Sequence, residues 1–222
     1  MNTYIFQIHA LTNVHAGSGD AGGYGLVDKI VQRDPTTNLP TIHASGIKGA
    51  LREHFSSLNE SWIEDTFGAD PKDRNPNKIK RGSHRFFVAD LVALPTPQED
   101  PPHFQLVAGK EYLNSLLKKY QGLGLKDIAF DELFKGIAFD DRASTFHELA
   151  EELPVIARNH LDNGESKNLW YEEIVPRASV FMTCIQAESQ SRLIDDLNDS
   201  LVQIGGNATV GYGYCKFKLV AS

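Results

Sequence analysis

Cysteine is scarce in this sequence: its 222 residues include only Cys184 and Cys215. Two cysteines are too few for a disulfide framework, and neither belongs to a Cys-x-x-Cys motif or a Cys/His cluster. The sequence therefore predicts no structural zinc site, and it is typical of a protein from a reducing compartment.

Long hydrophobic segments are also missing. No apolar run approaches the roughly 20 residues that a membrane-spanning helix needs. The N-terminus lacks the basic region of a signal peptide, and residues 1–11 alternate between polar and apolar as a β-strand does. We therefore expect a cytoplasmic protein that has no membrane partner.

An overall excess of positive charge is the third absence, since 22 Lys and Arg against 29 Asp and Glu leave a net charge of −7. Such a chain has no global field that attracts a polyanion. Six basic residues nevertheless fall within residues 72–85, opposed only by Asp73. This basic segment fits a local contact with RNA phosphates, although a solvated loop explains an isolated basic run about equally well. Its candidate RNA-binding residues are Lys78, Lys80 and Arg81.

Two glycine-rich segments are present: residues 15–25, the first glycine loop, and residues 205–213, the second glycine loop. Gly17, Gly19 and Gly22 match the Gly-x-Gly-x-x-Gly pattern of dinucleotide-binding proteins. The residues that follow are glycine-rich and then β-branched, so they are poor material for the helix that such a site needs. The sequence also has no P-loop motif. Both observations argue against nucleotide-cofactor and nucleotide-hydrolysis chemistry.

The hydrophobic pattern predicts an α+β fold built on ferredoxin-like units, with the order β-β-α-β near each end. The predicted strands cover residues 4–12, 26–33, 85–94, 103–107, 169–175, 179–187 and 214–220. The predicted helices begin at Ser45 and at Ser189 or Ser191 and also cover 61–67 and 110–120, with shorter fragments near 131–134 and 145–153. A Pro176-Arg177 turn joins the strands 169–175 and 179–187.

The helix that begins at Ser45 has two different sides. Ser45 is a typical N-cap residue, and Ile47 and Leu51 belong to an apolar stripe with helical spacing. Lys48 and Arg52, four residues apart, lie opposite that stripe. We therefore expect one side of this helix to pack in the core and the other to present positive charge.

Four segments together resemble a known family. Their motifs read V-D-x-x-x-Q-R and K-G-x-L-R within residues 11–53, W-Y-E-E-x-x-P within 168–181, and G-G-N-x-x-x-G-x-G within 202–217, and residues 85–95 supply a matching strand. In this order they resemble the RAMP superfamily of RNA-binding proteins, in particular the repeated backbone subunits of type III-B (Cmr) CRISPR effector complexes. A glycine-rich C-terminal loop alone is common to all RAMP proteins, so the specificity comes from the combination.

The resemblance implies a single α+β domain over residues 1–222: a ferredoxin-like, RRM-like RAMP palm with inserted thumb and finger elements. The palm would comprise residues 1–68, 84–94 and 168–222, with insertions at about 69–83 and 95–167. The implied partners are a CRISPR guide RNA, a complementary target RNA, further copies of the chain in a helical filament, and other RAMP and helical subunits of the complex.

The same resemblance implies a metal-dependent endoribonuclease within the assembled complex, with Asp28 as the catalytic residue. Target RNA contains its own 2′-hydroxyl nucleophile, so the protein has to supply orientation and charge stabilisation. Asp28 would hold Mg²⁺ or another divalent cation, or assist removal of the proton. His15 is a second candidate, for proton transfer or RNA contact, with a hydrogen-bonded structural histidine as the alternative.

The implied RNA-binding residues extend beyond the basic segment. They are Ser45, Lys48, Arg52, Gly205, Gly206, Asn207, Gly211 and Gly213. The N-terminus of the helix at Ser45 suits a guide-RNA phosphate, but Ala44 stands where the family has glycine. Glu172 and Glu173 alternate in direction on a strand, and we interpret them as surface charges or salt-bridge partners.

Two other functions remain compatible with these residues. One is a non-catalytic, structural RNA-binding subunit of a type III effector complex, which would bind the guide without cutting the target. The other is a RAMP endonuclease that processes CRISPR RNA as an isolated, metal-independent protein. The V-D-x-x-x-Q-R segment favours the backbone type over the processing type.

Overall fold

A computed structural model defines residues 1–19, 27–57, 61–69, 80–126, 129–134, 137–140, 143–188 and 191–222. Within this part of the chain the strands are β1 (Asn2–Ala10), β2 (Thr41–Ile42), β3 (Arg85–Phe86), β4 (Ala89–Pro97), β5 (Phe104–Gly109), β6 (Ala138–Asp140), β7 (Val155–Asp162), β8 (Glu165–Glu173), β9 (Val180–Ala187), β10 (Leu201–Gln203) and β11 (Tyr214–Ala221). The helices are α1 (Ala44–Ser56), α2 (Ser61–Phe67), α3 (Lys110–Gly122), α4 (Phe130–Leu133), α5 (Ala143–Glu151) and α6 (Arg192–Leu197).

Nine of these strands form one sheet in the order β10-β11-β1-β9-β4-β5-β6, with β2 added beside β4 and β3 beside β9. All described pairs in this sheet are antiparallel except β5 with β6. The central strand β1 lies between the C-terminal strand β11 and β9. The sheet therefore joins the two ends of the sequence, where the recognised motifs lie.

Helices cover both faces of this sheet because its central strands are apolar on both sides. Phe6 and Ile8 of β1 belong to a core that includes buried residues of α1, α2, α5 and α6. Ile5 faces the opposite core, which is filled by α3 and α4. Alternation along β1 thus separates two layers of helices. None of the described helices has the length and apolar character needed to cross a membrane.

Strand β8 belongs to a hairpin rather than to the central sheet. It pairs antiparallel with β7 over its whole length, and the two form a separate two-stranded sheet. The turn is Asn163-Gly164, with φ of 51° and 85°, as expected for an Asn-Gly hairpin turn. Exposure is high near this turn and falls to zero or a few per cent at the base, where Glu172 and Glu173 are buried.

Both strands predicted around the Pro176-Arg177 turn are present, as β8 and β9, but they belong to different sheets. Val175 exchanges backbone hydrogen bonds with Val14 (2.8 and 2.9 Å), and Ala178 donates to Ala10 (2.7 Å). These contacts lie between the end of β8 and the start of β9, and β8 does not pair with β9. The predicted palm boundary at residue 168 consequently falls inside the hairpin.

Two further predictions about elements are corrected. The helix predicted from Ser45 begins at Ala44, since the N–H of Ile47 donates to the carbonyl of His43 (3.0 Å), which occupies the N-cap position. Ser45 therefore lies in the first turn. The single strand predicted for 85–94 is divided into β3 and β4, which both pair with β9.

Candidate functional site

The base of the β7–β8 hairpin lies against the segment that follows the first glycine loop. The amides of Asp28 and Lys29 both donate to the carbonyl of Tyr171 (3.0 and 3.1 Å), and the amide of Glu173 donates to the carbonyl of Lys29 (2.8 Å). This short parallel pairing ties the predicted catalytic segment to the end of β8. The position of Asp28 thus depends on the hairpin.

Asp28 is exposed to solvent at this junction. Its Oδ2 accepts a hydrogen bond from the backbone N–H of Tyr171 (2.8 Å), so one oxygen is held by the hairpin. Its Oδ1 makes no hydrogen bond to another described residue. The carboxylate is therefore oriented and open to a ligand, and Asp28 stays a predicted catalytic residue.

Glu172 lies beneath the junction, and its side chain is completely inaccessible to solvent. Its Oε1 accepts from Lys29 Nζ and Trp170 Nε1, both at 2.8 Å, while Oε2 accepts from Asn207 Nδ2 at 2.9 Å. An Arg158 nitrogen lies 3.5 Å from Oε2. The interpretation of Glu172 as a salt-bridge partner is correct, but its interpretation as a surface charge is wrong.

These donors keep Glu172 ionised. Burial acts to raise the pKa of its carboxyl group, but the hydrogen bonds from Lys29 and Trp170 and the positive charges of Lys29 and Arg158 hold that pKa below its ordinary value. The two cations also lie over aromatic rings, Lys29 over Trp170 and Arg158 over Tyr212. A buried anion with fixed positive neighbours is thus present beside Asp28.

Glu173 points to the other side and ties the hairpin to the chain after Asp28. Its Oε2 accepts from the N–H of Val31 (2.9 Å), and its Oε1 forms an ion pair with Arg33. Arg33 also donates to the carbonyl of Ala150, at the end of α5. The sequence predicted a salt bridge as one alternative for Glu173, but it did not identify the partners, which lie about 140 residues away.

His15 is buried and hydrogen-bonded to backbone. Its Nδ1 lies 2.8 Å from the carbonyl oxygen of Glu173, which can only accept, so Nδ1 carries the proton. Its own carbonyl accepts from the N–H of Gly206 (3.0 Å). These contacts are those of the structural histidine that the sequence left open as an alternative, and they connect the hairpin base with the second glycine loop.

The second glycine loop needs glycine at two positions for steric reasons. A Cβ at Gly205, where φ is +83°, would lie 2.4 Å from the carbonyl oxygen of His15. At Gly213, where φ is +78°, a Cβ would lie 2.0 Å from the carbonyl oxygen of Ile204. Both glycines therefore permit close contacts inside the protein, whereas Gly211 faces open space.

A shallow groove of about 340 Å³ separates α1 from the second glycine loop. It is lined by Gly46, Gly49, Ala50, Glu53, His54, Gln203 and Gly205. Ser45 is exposed and Lys48 half-exposed on the same helix. Small residues on α1 leave room for a backbone ligand, while the carboxylate of Glu53 disfavours an anion at its own end of the groove.

The remaining predicted RNA-binding cations differ in their availability. The guanidinium of Arg52 donates to the carbonyls of Gly68 and Ala69, both at 3.1 Å, and so holds the end of α2. Lys80 forms an ion pair with Asp65. The hydrogen bond that Lys80 donates to this carboxylate raises the pKa of Lys80. Arg81 is exposed. Lys78 lies outside the described residues.

Within the described ranges, no group of three or more His, Cys, Asp or Glu side chains could hold a metal ion. Mg²⁺, however, often binds through one or two carboxylates together with substrate phosphates and water. Asp28 fits such a ligand because its Oδ1 is open. Glu172 does not fit, since both of its oxygens already accept hydrogen bonds.

Comparison with known proteins identifies relatives over nearly the whole chain. The model of the RAMP superfamily matches residues 7–216. The chain is also similar to the CRISPR system Cmr endoribonuclease Cmr4 of Pyrococcus furiosus. The two are 24% identical over an alignment of 287 residues, gaps included, which covers 99% of this chain and 96% of that protein.

Solved structures share the fold. A chain in the cryo-EM structure of the type III-B Cmr-beta complex bound to cognate target RNA matches with a TM-score of 0.78 and 20% identity, over 99% of this chain and 98% of that one. The crystal structure of oligomeric Cmr4 from Pyrococcus furiosus matches with a TM-score of 0.69 and 18% identity, over 100% and 99%. These likenesses confirm the predicted α+β palm with inserted elements.

Proposed function

The chain belongs to the RAMP superfamily, and on that premise we propose that it is a guide-RNA-binding backbone subunit of a type III-B CRISPR effector complex that also cleaves complementary target RNA. The observation that carries the proposal is the exposed, oriented carboxylate of Asp28 at the base of a long hairpin. The related protein named as a Cmr endoribonuclease supports the assignment of nuclease activity.

Guide binding is assigned to the surface between α1 and the second glycine loop. The first amides of α1 have no partner within the helix and carry the positive end of its dipole, so they suit a phosphate. Lys48 adds charge beside them, and the groove lined by Gly46 and Gly49 offers access to the backbone. Such contacts read the RNA backbone rather than its bases, as a subunit that must accept many guides requires.

The hairpin is the element that we assign to the target RNA. On one of its faces Val155, Leu169 and Tyr171 are 45%, 52% and 41% exposed, and the strand register places them on the same side. An exposed apolar face suits contact with splayed bases. Asp28 is bound to the backbone of Tyr171, so it would lie where the hairpin meets the target strand.

The chemistry proposed for this site is attack of the target's 2′-hydroxyl oxygen on the adjacent phosphorus, which breaks the P–O5′ bond. The products are a 2′,3′-cyclic phosphate and a 5′-hydroxyl end, whose oxygen takes its proton from water. Asp28 would orient the reacting nucleotide and accept a proton at Oδ1 or bind a divalent cation there. A bound Mg²⁺ or similar cation would supply charge stabilisation at the phosphate. Lys29, half-exposed and fixed by Glu172, would place a positive charge near the same phosphate.

Further copies of the chain, together with other RAMP and helical subunits, are the proposed protein partners. The oligomeric crystal form of Cmr4 supports self-association. We also propose that the protein works in the cytoplasm, in keeping with its two buried, unpaired cysteines.

Replacing Asp28 with Asn tests the nuclease assignment. Asn can still accept from the N–H of Tyr171, so the variant removes the charge and leaves the hairpin contact. In the reconstituted complex we expect target cleavage to slow by about 100- to 10,000-fold, with guide and target binding unchanged in gel-shift assays. Cleavage at the wild-type rate would remove Asp28 from the mechanism.

Chelation of divalent cations is the companion experiment. EDTA should stop cleavage by the wild-type complex, and added Mg²⁺ or Mn²⁺ should restore it. Persistent cleavage in EDTA would contradict the metal requirement but leave the role of Asp28 intact.

The main alternative is a structural RNA-binding subunit without nuclease activity. It is favoured by one observation, that among the described residues no group of three or more His, Cys, Asp or Glu side chains could hold a metal ion. A wild-type complex that binds guide and target but yields no cleavage products would support this alternative. Cutting of repeat RNA by the isolated chain would instead indicate a processing endonuclease.

A further inference from the structure

The buried carboxylate of Glu172 links three segments that are distant in sequence. It binds Lys29 after the first glycine loop, Trp170 and Arg158 of the hairpin, and Asn207 of the second glycine loop. We propose that Glu172 and Asn207 form a latch that fixes the hairpin on the second glycine loop and thereby sets which phosphodiester of the target Asp28 meets. This positioning role rests on the proposed function.

The connection from the latch to Asp28 is one residue long. Tyr171 holds Asp28 through its N–H and its carbonyl, and Glu172 is the next residue of the same strand. The backbone groups that hold Asp28 are therefore one residue from the Glu172 side chain that contacts Asn207. Any rotation of the hairpin base about the latch therefore moves Asp28.

The hairpin needs such a tether because it stands apart from the main sheet. β7 and β8 form a two-stranded sheet that is exposed over most of its length, and an isolated two-stranded hairpin is only marginally stable in water. Its orientation is consequently set at its base. Glu173 and His15 anchor the backbone there, and Glu172 provides the direct side-chain contact to Asn207.

Asn207 is suited to this contact rather than to free RNA binding. Its φ of 64° is left-handed, a conformation that Asn tolerates better than most residues. In this conformation Nδ2 donates to Glu172 Oε2. The loop that we assign to the guide and the hairpin that we assign to the target thus share one hydrogen bond, so guide placement and cleavage position are coupled.

Single substitutions of Glu172 and Asn207 test the proposal in the reconstituted complex. Glu172→Gln removes the charge that holds Lys29 and Arg158, and single-turnover cleavage should slow by about 100-fold, as for a displaced reacting group. The cut should also spread to neighbouring phosphodiesters, while the Kd for target stays within about twofold. Asn207→Asp places a second carboxylate against Glu172 and should cause the larger defect.

The double variant gives the decisive comparison. In Glu172→Gln/Asn207→Asp the glutamine amide can donate to the new carboxylate, so cleavage should be faster and more uniform in position than in Asn207→Asp alone. Glu172→Gln would then harm the wild type and help the Asn207→Asp protein. Additive defects, or an unchanged cut position in Glu172→Gln, would overturn the latch.

Controls separate this proposal from the proposed function. Asp28→Asn should lose rate at an unchanged cut position, whereas Glu172→Gln should change the position. If no complex cleaves RNA, amide hydrogen exchange still decides the latch: Glu172→Gln should speed exchange at the base of residues 155–173 and in 205–213 alike. Unchanged exchange in both segments would refute it, and Asn207→Gly, which keeps the backbone conformation, should reproduce the faster exchange.

Discussion

Two buried carboxylates in this protein have opposite electrostatic settings. Burial acts to raise the pKa of Glu172, but Lys29, Trp170 and Arg158 together hold it below its ordinary value. Asp90 accepts from Lys119 (2.7 and 2.8 Å) and Tyr120 (3.0 Å), yet burial raises its pKa above the ordinary value because these hydrogen bonds do not offset the loss of hydration. Glu172 is therefore fixed as an anion, while Asp90 is easier to protonate.

This contrast predicts opposite effects of pH on two variants. The stability that Glu172 contributes is present above its ordinary pKa of 4.5 and is lost as pH falls through the lower folded value. The contribution of Asp90 is present below 3.8 and is lost as pH rises through its raised value. Glu172→Gln should thus cost less as the solution is acidified, and Asp90→Asn should cost more.

Denaturant unfolding midpoints of the wild type and both variants, measured from about pH 3 to pH 7, check this prediction. Each variant serves as the control for the other, because both remove one buried negative charge. Parallel pH profiles for the two variants would contradict the assigned settings.

At the scale of elements, the second glycine loop and the hairpin depend on each other. The loop presents its backbone to His15 and its Asn207 side chain to the hairpin, and the hairpin base presents Glu172 and Tyr171 to the loop and to Asp28. Since the loop packs this closely, the effect of replacing one of its glycines depends on the space around the new Cβ as well as on φ.

Gly211 and Gly213 offer a matched pair for that point, since both have positive φ, +83° and +78°. An alanine at either position adopts a left-handed conformation at a cost of about 1–2 kcal/mol. Only at Gly213 would the new Cβ also clash with a carbonyl oxygen, at 2.0 Å.

We therefore expect Gly213→Ala to lower the free energy of unfolding well beyond Gly211→Ala and to weaken guide binding by distorting the loop. Equal losses for the two variants in denaturant unfolding would show that the close approach to Ile204 relaxes at little cost.

On the scale of the whole molecule, the proposed RNA binding by an acidic chain requires the contacts to be concentrated on part of its surface. The net charge of −7 opposes general attraction to a polyanion. α1 and the second glycine loop lie on one side of the central sheet, and α3 packs against the other. Charge on the first side should therefore control affinity for the guide.

Lys48→Ala and Lys110→Ala test this location. Both lysines lie in helices, Lys48 in α1 and the exposed Lys110 at the start of α3. For single-stranded RNA the slope of log affinity against log salt changes by about 0.7 for each phosphate that the protein neutralises. Lys48→Ala should lower that slope by about 0.7 and Lys110→Ala should leave it unchanged; equal slopes would place the guide elsewhere.

Local patterns were sufficient for much of the fold. The apolar stripe of α1 predicted the burial of Ile47 and Leu51, because helical spacing alone decides which side chains share a face. Alternation likewise predicted β1, strands were also predicted at β9 and β11, and the combined motifs predicted the family. The pattern of residues 169–175 predicted a strand, but local information could not decide whether that strand pairs with β7 or with β9.

The roles of charged side chains were harder to predict. The contacts of Arg52 with the carbonyls of Gly68 and Ala69 were not predicted. Glu172 was expected to be a surface charge or a salt-bridge partner, and it is a buried salt-bridge partner. The residues that flank these two positions in the sequence do not distinguish them from exposed charged residues. The partners come from segments that only folding brings together.

The amino-acid sequence by itself determined the strands β1, β9 and β11, the apolar face of α1, and the motifs that mark the RAMP superfamily, since these depend on periodicity and on short-range residue chemistry. Only the tertiary structure decided that Asp28 is held by the backbone of Tyr171 and that Glu172 joins the hairpin to Asn207. A hydrogen bond depends on the distance between its two groups in space, and only folding brings groups that are remote in the sequence within that distance.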